Sequence, residues 1–86
     1  GEVADVGPGV AGFRVGDRVM GLVGGGAHAE YVVADAPTAL RVPPALSWVE
    51  AGAIPEAFLT AHDALRQAEG RPGETALVHA VGSGVG

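Results

Sequence analysis

Lysine and cysteine are both missing from this 86-residue chain, and aromatic side chains are scarce: one Trp, one Tyr and two Phe. Without cysteine there is no disulfide framework and no thiolate metal site within these residues. Without lysine, the fixed side-chain cations are the arginines at positions 14, 18, 41, 66 and 71. They are scattered, form no stripe, and are outnumbered by ten acidic residues, for a net charge of −5. A binder of phosphate backbone needs clustered basic residues, so no nucleic-acid partner is expected. No apolar run reaches the roughly 18 residues of a membrane span, and the first residues lack the layout of a signal peptide. No membrane partner is expected, and a cytoplasmic location is the default.

What is there is small and flexible. Fifteen Gly and six Pro punctuate a chain whose apolar content is mostly Ala and Val. Such side chains bury little area each at roughly 25 cal/mol per Å². A chain of this length can bury only about 60% of its unfolded surface, so an isolated core is expected to be marginal. The lack of Met at position 1 and the stop inside a glycine turn suggest a piece of something longer.

The first half reads as short strands between Gly and Pro turns. GEVADV runs into the Gly7-Pro8-Gly9 turn, Gly16-Asp17 forms a turn pair, and strands are expected over Arg18 to Val23, Ala27 to Val33 and Ala39 to Val42. That pattern suits a small barrel or sandwich. The second half changes period. Ser47 to Glu50 matches the S-x-x-E capping box, with Leu46 as the apolar residue before the cap. A helix from Trp48 to about Ile54 is expected to break at Pro55. A second helix, Glu56 to Ala68, would then carry a buried stripe of Phe58, Ala61, Leu65 and Ala68 and stop at Gly70 and Pro72. GETALVHA follows with consecutive apolar residues, as a strand buried on both faces of a parallel sheet would.

That strand enters the turn Val81-Gly82-Ser83-Gly84-Val85-Gly86. Closely spaced glycines let a backbone approach a pyrophosphate, and the residues after such a turn offer free N–H groups. The match to G-x-G-x-x-G is incomplete. In one register Gly82 and Gly84 fit and the third glycine falls past residue 86. In the other, Gly86 is the third glycine, and Val81 and Ser83 replace the first two.

Four motifs in order, GPGVAGFRVGDRVMGL, GGGAHAEYVV, LSWVEAGAIPEAFLTAHDAL and GETALVHAVGSGVG, resemble the zinc-free quinone oxidoreductase branch of the medium-chain dehydrogenase/reductase superfamily. The resemblance covers nearly the whole chain. It implies an α/β parent in which a GroES-like, partly β-barrel catalytic domain precedes a Rossmann domain, with NADPH in the cleft between them. Residues 1–50 would then be the later part of the GroES-like domain, 51–70 the interdomain helices, and 71–86 the first strand and turn of the Rossmann domain. The resemblance also implies a homodimer of the parent, formed through the Rossmann sheet.

Carried onto this chain, the resemblance places Thr60 near the nicotinamide and Gly82, Ser83, Gly84, Val85 and Gly86 at the pyrophosphate, with a hydroxyl donor at Ser83. Thr60 has an equally simple local role, donating to the carbonyl four residues earlier. No zinc is expected. Zinc-dependent relatives carry a cysteine-rich lobe between the GDRV and A-E-Y strands, where this chain has only MGLVGGGAH. Glu56, near the position of a third zinc ligand, is explained as well by its place in the first turn of a helix. His28, His62 and His79 show no ligand spacing, and His79 reads as a core residue of the last strand. Tyr31 is conceivable as a proton donor, but Glu30-Tyr31 reads first as a strand with one side chain in and one out. No Ser-His-Asp triad or carboxylate pair is legible, so catalytic residues stay unassigned.

The function implied is hydride transfer from NADPH to a conjugated carbonyl, a quinone or an enone, without metal. Two alternatives stand beside it: an enoyl-thioester reductase domain of a multidomain synthase, and a non-enzymatic relative that binds nucleotide or RNA. The isolated 86 residues are expected neither to fold cooperatively nor to bind the cofactor.

Overall fold

The computed structural model describes residues 1–86, which divide into two units, Gly1–Gly52 and Ala53–Gly86. The regular elements are strand β1 (Val19–Met20), a 3-10 turn at Ala36–Thr38, strand β2 (Leu40–Arg41) and helix α1 (Trp48–Gln67). The helix begins in the first unit and continues in the second.

The first unit is organised around β1. It pairs antiparallel with β2, Val19 opposite Arg41 and Met20 opposite Leu40. On its other side the N-terminal residues add a partial third rung, with a bridge between Glu2 and Arg18. That rung is held by Val3 N–H to Asp17 O at 2.9 Å and Val19 N–H to Gly1 O at 2.9 Å. The turn that returns the chain to β1 is Arg14-Val15-Gly16-Asp17, closed by Asp17 N–H to Arg14 O at 3.1 Å. Gly16, at the third position with φ of 91°, supplies the left-handed conformation that a type II turn requires and that an L side chain resists. The expected turn pair is therefore present and has a mechanism.

Asp17 reinforces the same turn. Its Oδ2 accepts the Arg14 N–H at 2.9 Å and lies 2.9 Å from Arg41 Nη1, although its side chain is only 10% exposed. The Arg14 N–H and the Arg41 guanidinium hold the Asp17 carboxyl below its ordinary range, with the backbone bond the larger cause. Arg41 also donates to Gly12 O and lies over the Phe13 ring at 5.1 Å. Arg18 turns the other way: its Nη2 donates to Leu46 O at 2.9 Å, and its guanidinium sits 4.3 Å from the Trp48 ring centroid. Adjacent in sequence, Asp17 and Arg18 serve different contacts and form no acid/base pair.

The strands are far shorter than the residue pattern predicts. Arg18–Val23 reduces to Val19–Met20, and Ala39–Val42 to Leu40–Arg41. Ala27–Val33 forms no strand, and both Glu30 and Tyr31 are exposed, Tyr31 at 79%. β propensity needs a partner strand and a covered face, and neither is available to residues 27–33. Few residues are buried: Val42 and Ala51 in the first unit and Pro55 in the second.

The helix starts where the capping box places it. Ser47 N–H donates to Glu50 Oε2 at 2.8 Å, and Glu50 N–H donates to Ser47 Oγ at 3.3 Å. The Ser47 N–H, and second the Ser47 hydroxyl that donates to Glu50 Oε2 at 2.7 Å, hold the Glu50 carboxyl below its ordinary range. The expected break at Pro55 does not occur; α1 runs through it as one 20-residue helix. Proline deletes one backbone bond and crowds the carbonyl four residues earlier, but twelve helical residues follow it and keep the ladder going.

In the second unit the expected buried stripe is open. Phe58 is 66% and Leu65 58% exposed. The helix ends in a Schellman arrangement: Gly70 N–H donates to Leu65 O at 3.0 Å and Glu69 N–H to Arg66 O at 3.1 Å. The left-handed residue is Glu69, with φ of 53°, so the stop comes one residue before the glycine that the sequence singles out. Beyond Pro72, residues 74–78 carry no strand pairing and Leu77 is 85% exposed. The expected buried strand over GETALVHA is absent, because a strand exists only in a ladder and no segment of this chain lies beside it. His79 is exposed in the following turn rather than in a core.

Candidate cofactor-binding turn

The residues singled out for a nucleotide are Thr60 and Gly82–Gly86. All are exposed, and all lie in the second unit. The structure does not bring Thr60 and the turn together through a hydrogen bond. Thr60 sits in α1, and its Oγ1 donates to Glu56 O at 2.7 Å, the local bond available to a helical threonine. Its oxygen lone pairs remain free to accept a donor. Glu56 and Tyr31 have no such engagement of their side chains, and no three His, Cys, Asp or Glu residues converge as metal ligands.

The turn is closed by its own atoms. Ser83 N–H donates to Ala80 O at 2.9 Å, and Gly86 N–H donates to Ser83 Oγ at 3.1 Å. Ala80 takes a left-handed φ of 54°, which aims the chain back on itself. Gly86 then lies so close to the preceding backbone that a Cβ would stand 2.6 Å from Ala80 O and from Val81 C. Only glycine fits there. Gly82 and Gly84 differ, since a Cβ on either would meet nothing within 4 Å. Their smallness answers no demand of the chain itself.

Two N–H groups of this turn, those of Ser83 and Gly86, are used internally. Those of Gly82, Gly84 and Val85 donate to no acceptor in the chain, and the three residues are exposed. Three free N–H donors with no side chain of bulk beside two of them suit a phosphate oxygen, so the residues present fit the diphosphate of a dinucleotide. Residue pattern alone had shown the glycines but not the left-handed Ala80 or the Ser83–Gly86 bond. The available signal was spacing: Ser83 and Gly86 stand three apart, as Ser47 and Glu50 do.

The alcohol dehydrogenase GroES-like domain family matches residues 1–44. Among curated proteins, the Polyketide synthase GfsB of Streptomyces halstedii is 47% identical across the whole of this chain, which spans 2% of that protein. The pikromycin polyketide synthase component PikAII of Streptomyces venezuelae is 48% identical, again with 2% of its length covered. The synaptic vesicle membrane protein VAT-1 homolog-like of Mus musculus is 40% identical across the whole chain, which spans 21% of it. The chain is thus a small part of the length of the relatives it matches. No solved structure matches it. No helix is long and apolar enough to cross a membrane.

Proposed function

We infer a function from one premise: the chain belongs to the alcohol dehydrogenase GroES-like domain family, of the medium-chain dehydrogenase/reductase superfamily. That membership carries an oxidoreductase fold and, as the superfamily's usual partner, NAD(P). We propose more narrowly that the parent protein reduces a conjugated carbonyl with NADPH, that residues 71–86 begin its nucleotide-binding domain, and that no zinc takes part.

The observation that carries the nucleotide assignment is the Gly86 contact. The third glycine of a dinucleotide turn is needed where a helix packs closely on the preceding strand. Gly86 meets a comparably close backbone contact within the turn, where a Cβ would stand 2.6 Å from Ala80 O and Val81 C. This supports the register ending at Gly86, with Val81 and Ser83 in place of the first two glycines. The free N–H groups of Gly82, Gly84 and Val85 would hold the diphosphate, and Thr60, whose hydroxyl proton is spent on Glu56 O, would accept from the nicotinamide end.

Of the conjugated carbonyls, we propose an enoyl thioester as substrate. Support comes from the polyketide synthases that match along the entire chain at 47% and 48% identity. The VAT-1 homolog-like relative, 40% identical over the same residues, is not named as a polyketide synthase, and beside the thioester stands a second reading, a reductase of free quinones or enones. The bound nicotinamide would supply hydride. The β-carbon of the enoyl thioester would take that hydride and the α-carbon a proton from water, leaving the saturated thioester and NADP⁺. The quinone reaction differs only in taking hydride and proton to hydroquinone.

The test is anaerobic NADPH oxidation by the full-length protein, with a crotonyl thioester and with a quinone panel, each with and without chelator. Turnover of the thioester unaffected by chelator is the expected result. Turnover of quinones alone would favour the second reading, turnover of neither would sink both, and loss with chelator would bring zinc back.

A further inference from the structure

Ser83 is a polar residue where a dinucleotide turn has its second glycine, and its hydroxyl invites the role of phosphate donor. The bonds point elsewhere. The Ser83 Oγ is an acceptor, taken up by the Gly86 N–H at 3.1 Å, and the Ser83 N–H is spent on Ala80 O at 2.9 Å. Both bonds of Ser83 therefore hold the loop to itself, and only its O–H proton is left without a partner in the chain. The loop they close is the one in which Gly86 presses on the Ala80–Val81 backbone, a contact with no room for a methyl group. The same S-x-x spacing occurs at Ser47, whose Oγ accepts the Glu50 N–H at 3.3 Å at the opening of α1.

We propose that Ser83 is a positioning residue that shapes the turn before any nucleotide arrives, rather than a group that contacts phosphate. The turn then divides its labour. Ala80, Ser83 and Gly86 set the path of the chain, and that path leaves the N–H groups of Gly82, Gly84 and Val85 as the donors that face an anion. This rests on the nucleotide reading given above and adds to it which residues bind and which build.

The discriminating measurement needs no nucleotide. A phosphate ligand at Ser83 is idle in the free protein, whereas a positioning residue is at work there. In the full-length protein, Ser83→Ala should speed hydrogen exchange of the Gly86 amide about five-fold, the effect of one lost hydrogen bond. NADPH affinity should fall by a similar factor, because a smaller fraction of molecules holds the competent turn. Ser83→Thr should restore both, since its hydroxyl can accept the same N–H. Unchanged Gly86 exchange in Ser83→Ala, with weakened NADPH binding, would overturn the proposal and make Ser83 a direct ligand. Absence of NADPH binding in the unaltered protein would instead overturn the nucleotide reading, while the exchange result would still judge the bond.

Discussion

Replacing Glu69 by glycine should strengthen the end of α1, although it removes a side chain and adds none. Glu69 occupies the left-handed position of the Schellman arrangement, at φ of 53°. An L residue there carries roughly 1–2 kcal/mol of clash between Cβ and carbonyl. Glycine has no such clash but loses more backbone freedom on folding, an offset of roughly 0.5–1 kcal/mol. The net gain is then about 0.5–1 kcal/mol. Its most direct reporter is the Gly70 amide, which donates to Leu65 O at 3.0 Å and is exposed whenever the last turn opens. Hydrogen exchange of that amide in the full-length protein should slow about two- to five-fold in Glu69→Gly. Two companions separate conformation from charge, because a carboxylate at a helix C-terminus also opposes the helix dipole. Glu69→Asn, which tolerates the left-handed region, should fall between glycine and the parent residue. Glu69→Ala should give little, since it keeps the Cβ. If alanine slows exchange as much as glycine does, the left-handed strain is not what limits the helix end, and the reasoning fails.

Ser47→Ala should cost about 1 kcal/mol of helix stability by stripping the cap from α1, seen as faster exchange of the Glu50 and Ala51 amides. The Asp17 and Glu50 carboxyls both titrate below their ordinary range in the folded chain. Each therefore contributes stability that is fully present above its unfolded value near 4 and drains away as pH falls through the lower folded value. Stability should fall less steeply through the acid range in Asp17→Asn or Glu50→Gln, whose amides do not titrate: each variant should be less stable than the parent protein at neutral pH and converge on it in acid. Gly86→Ala should abolish NADPH binding and disturb the turn even without nucleotide, since its Cβ would stand 2.6 Å from Ala80 O. Gly84→Ala, by contrast, should leave amide exchange of the turn unchanged and weaken only NADPH binding; equal damage from both variants would contradict the free space around Gly84.

Local chemistry was legible in the sequence, and long-range chemistry was not. The capping box at Ser47 and the Gly16-Asp17 turn follow from residues within four positions of one another, and both are present with the expected bonds. Pro55 shows the limit of a local rule, because the cost of one missing bond is weighed against twelve residues of helix beyond it. The strands at 27–33 and 73–80 fail for a different reason. Val32, Val33, Leu77 and Val78 have strand-forming side chains, but a ladder belongs to two segments, and the second is not encoded beside the first. In the turn, the glycines were visible and their different duties were not. What distinguishes Gly86 from Gly84 is the distance to Ala80, which no spacing rule supplies.

The stack of Arg18 on Trp48 has an optical consequence. Trp48 is the chain's one tryptophan and Tyr31 its one tyrosine, and both belong to the first unit. Within these 86 residues, near-ultraviolet emission therefore arises in the first unit, and the turn at 80–86 carries no emitting ring. With the guanidinium 4.3 Å from the ring, the indole reports on whether Arg18 is in place. Arg18→Lys should change the quantum yield of Trp48 while leaving every bond of the glycine turn untouched. Within these residues the scarcity of aromatics is useful, because emission and the amides of the turn report on different segments.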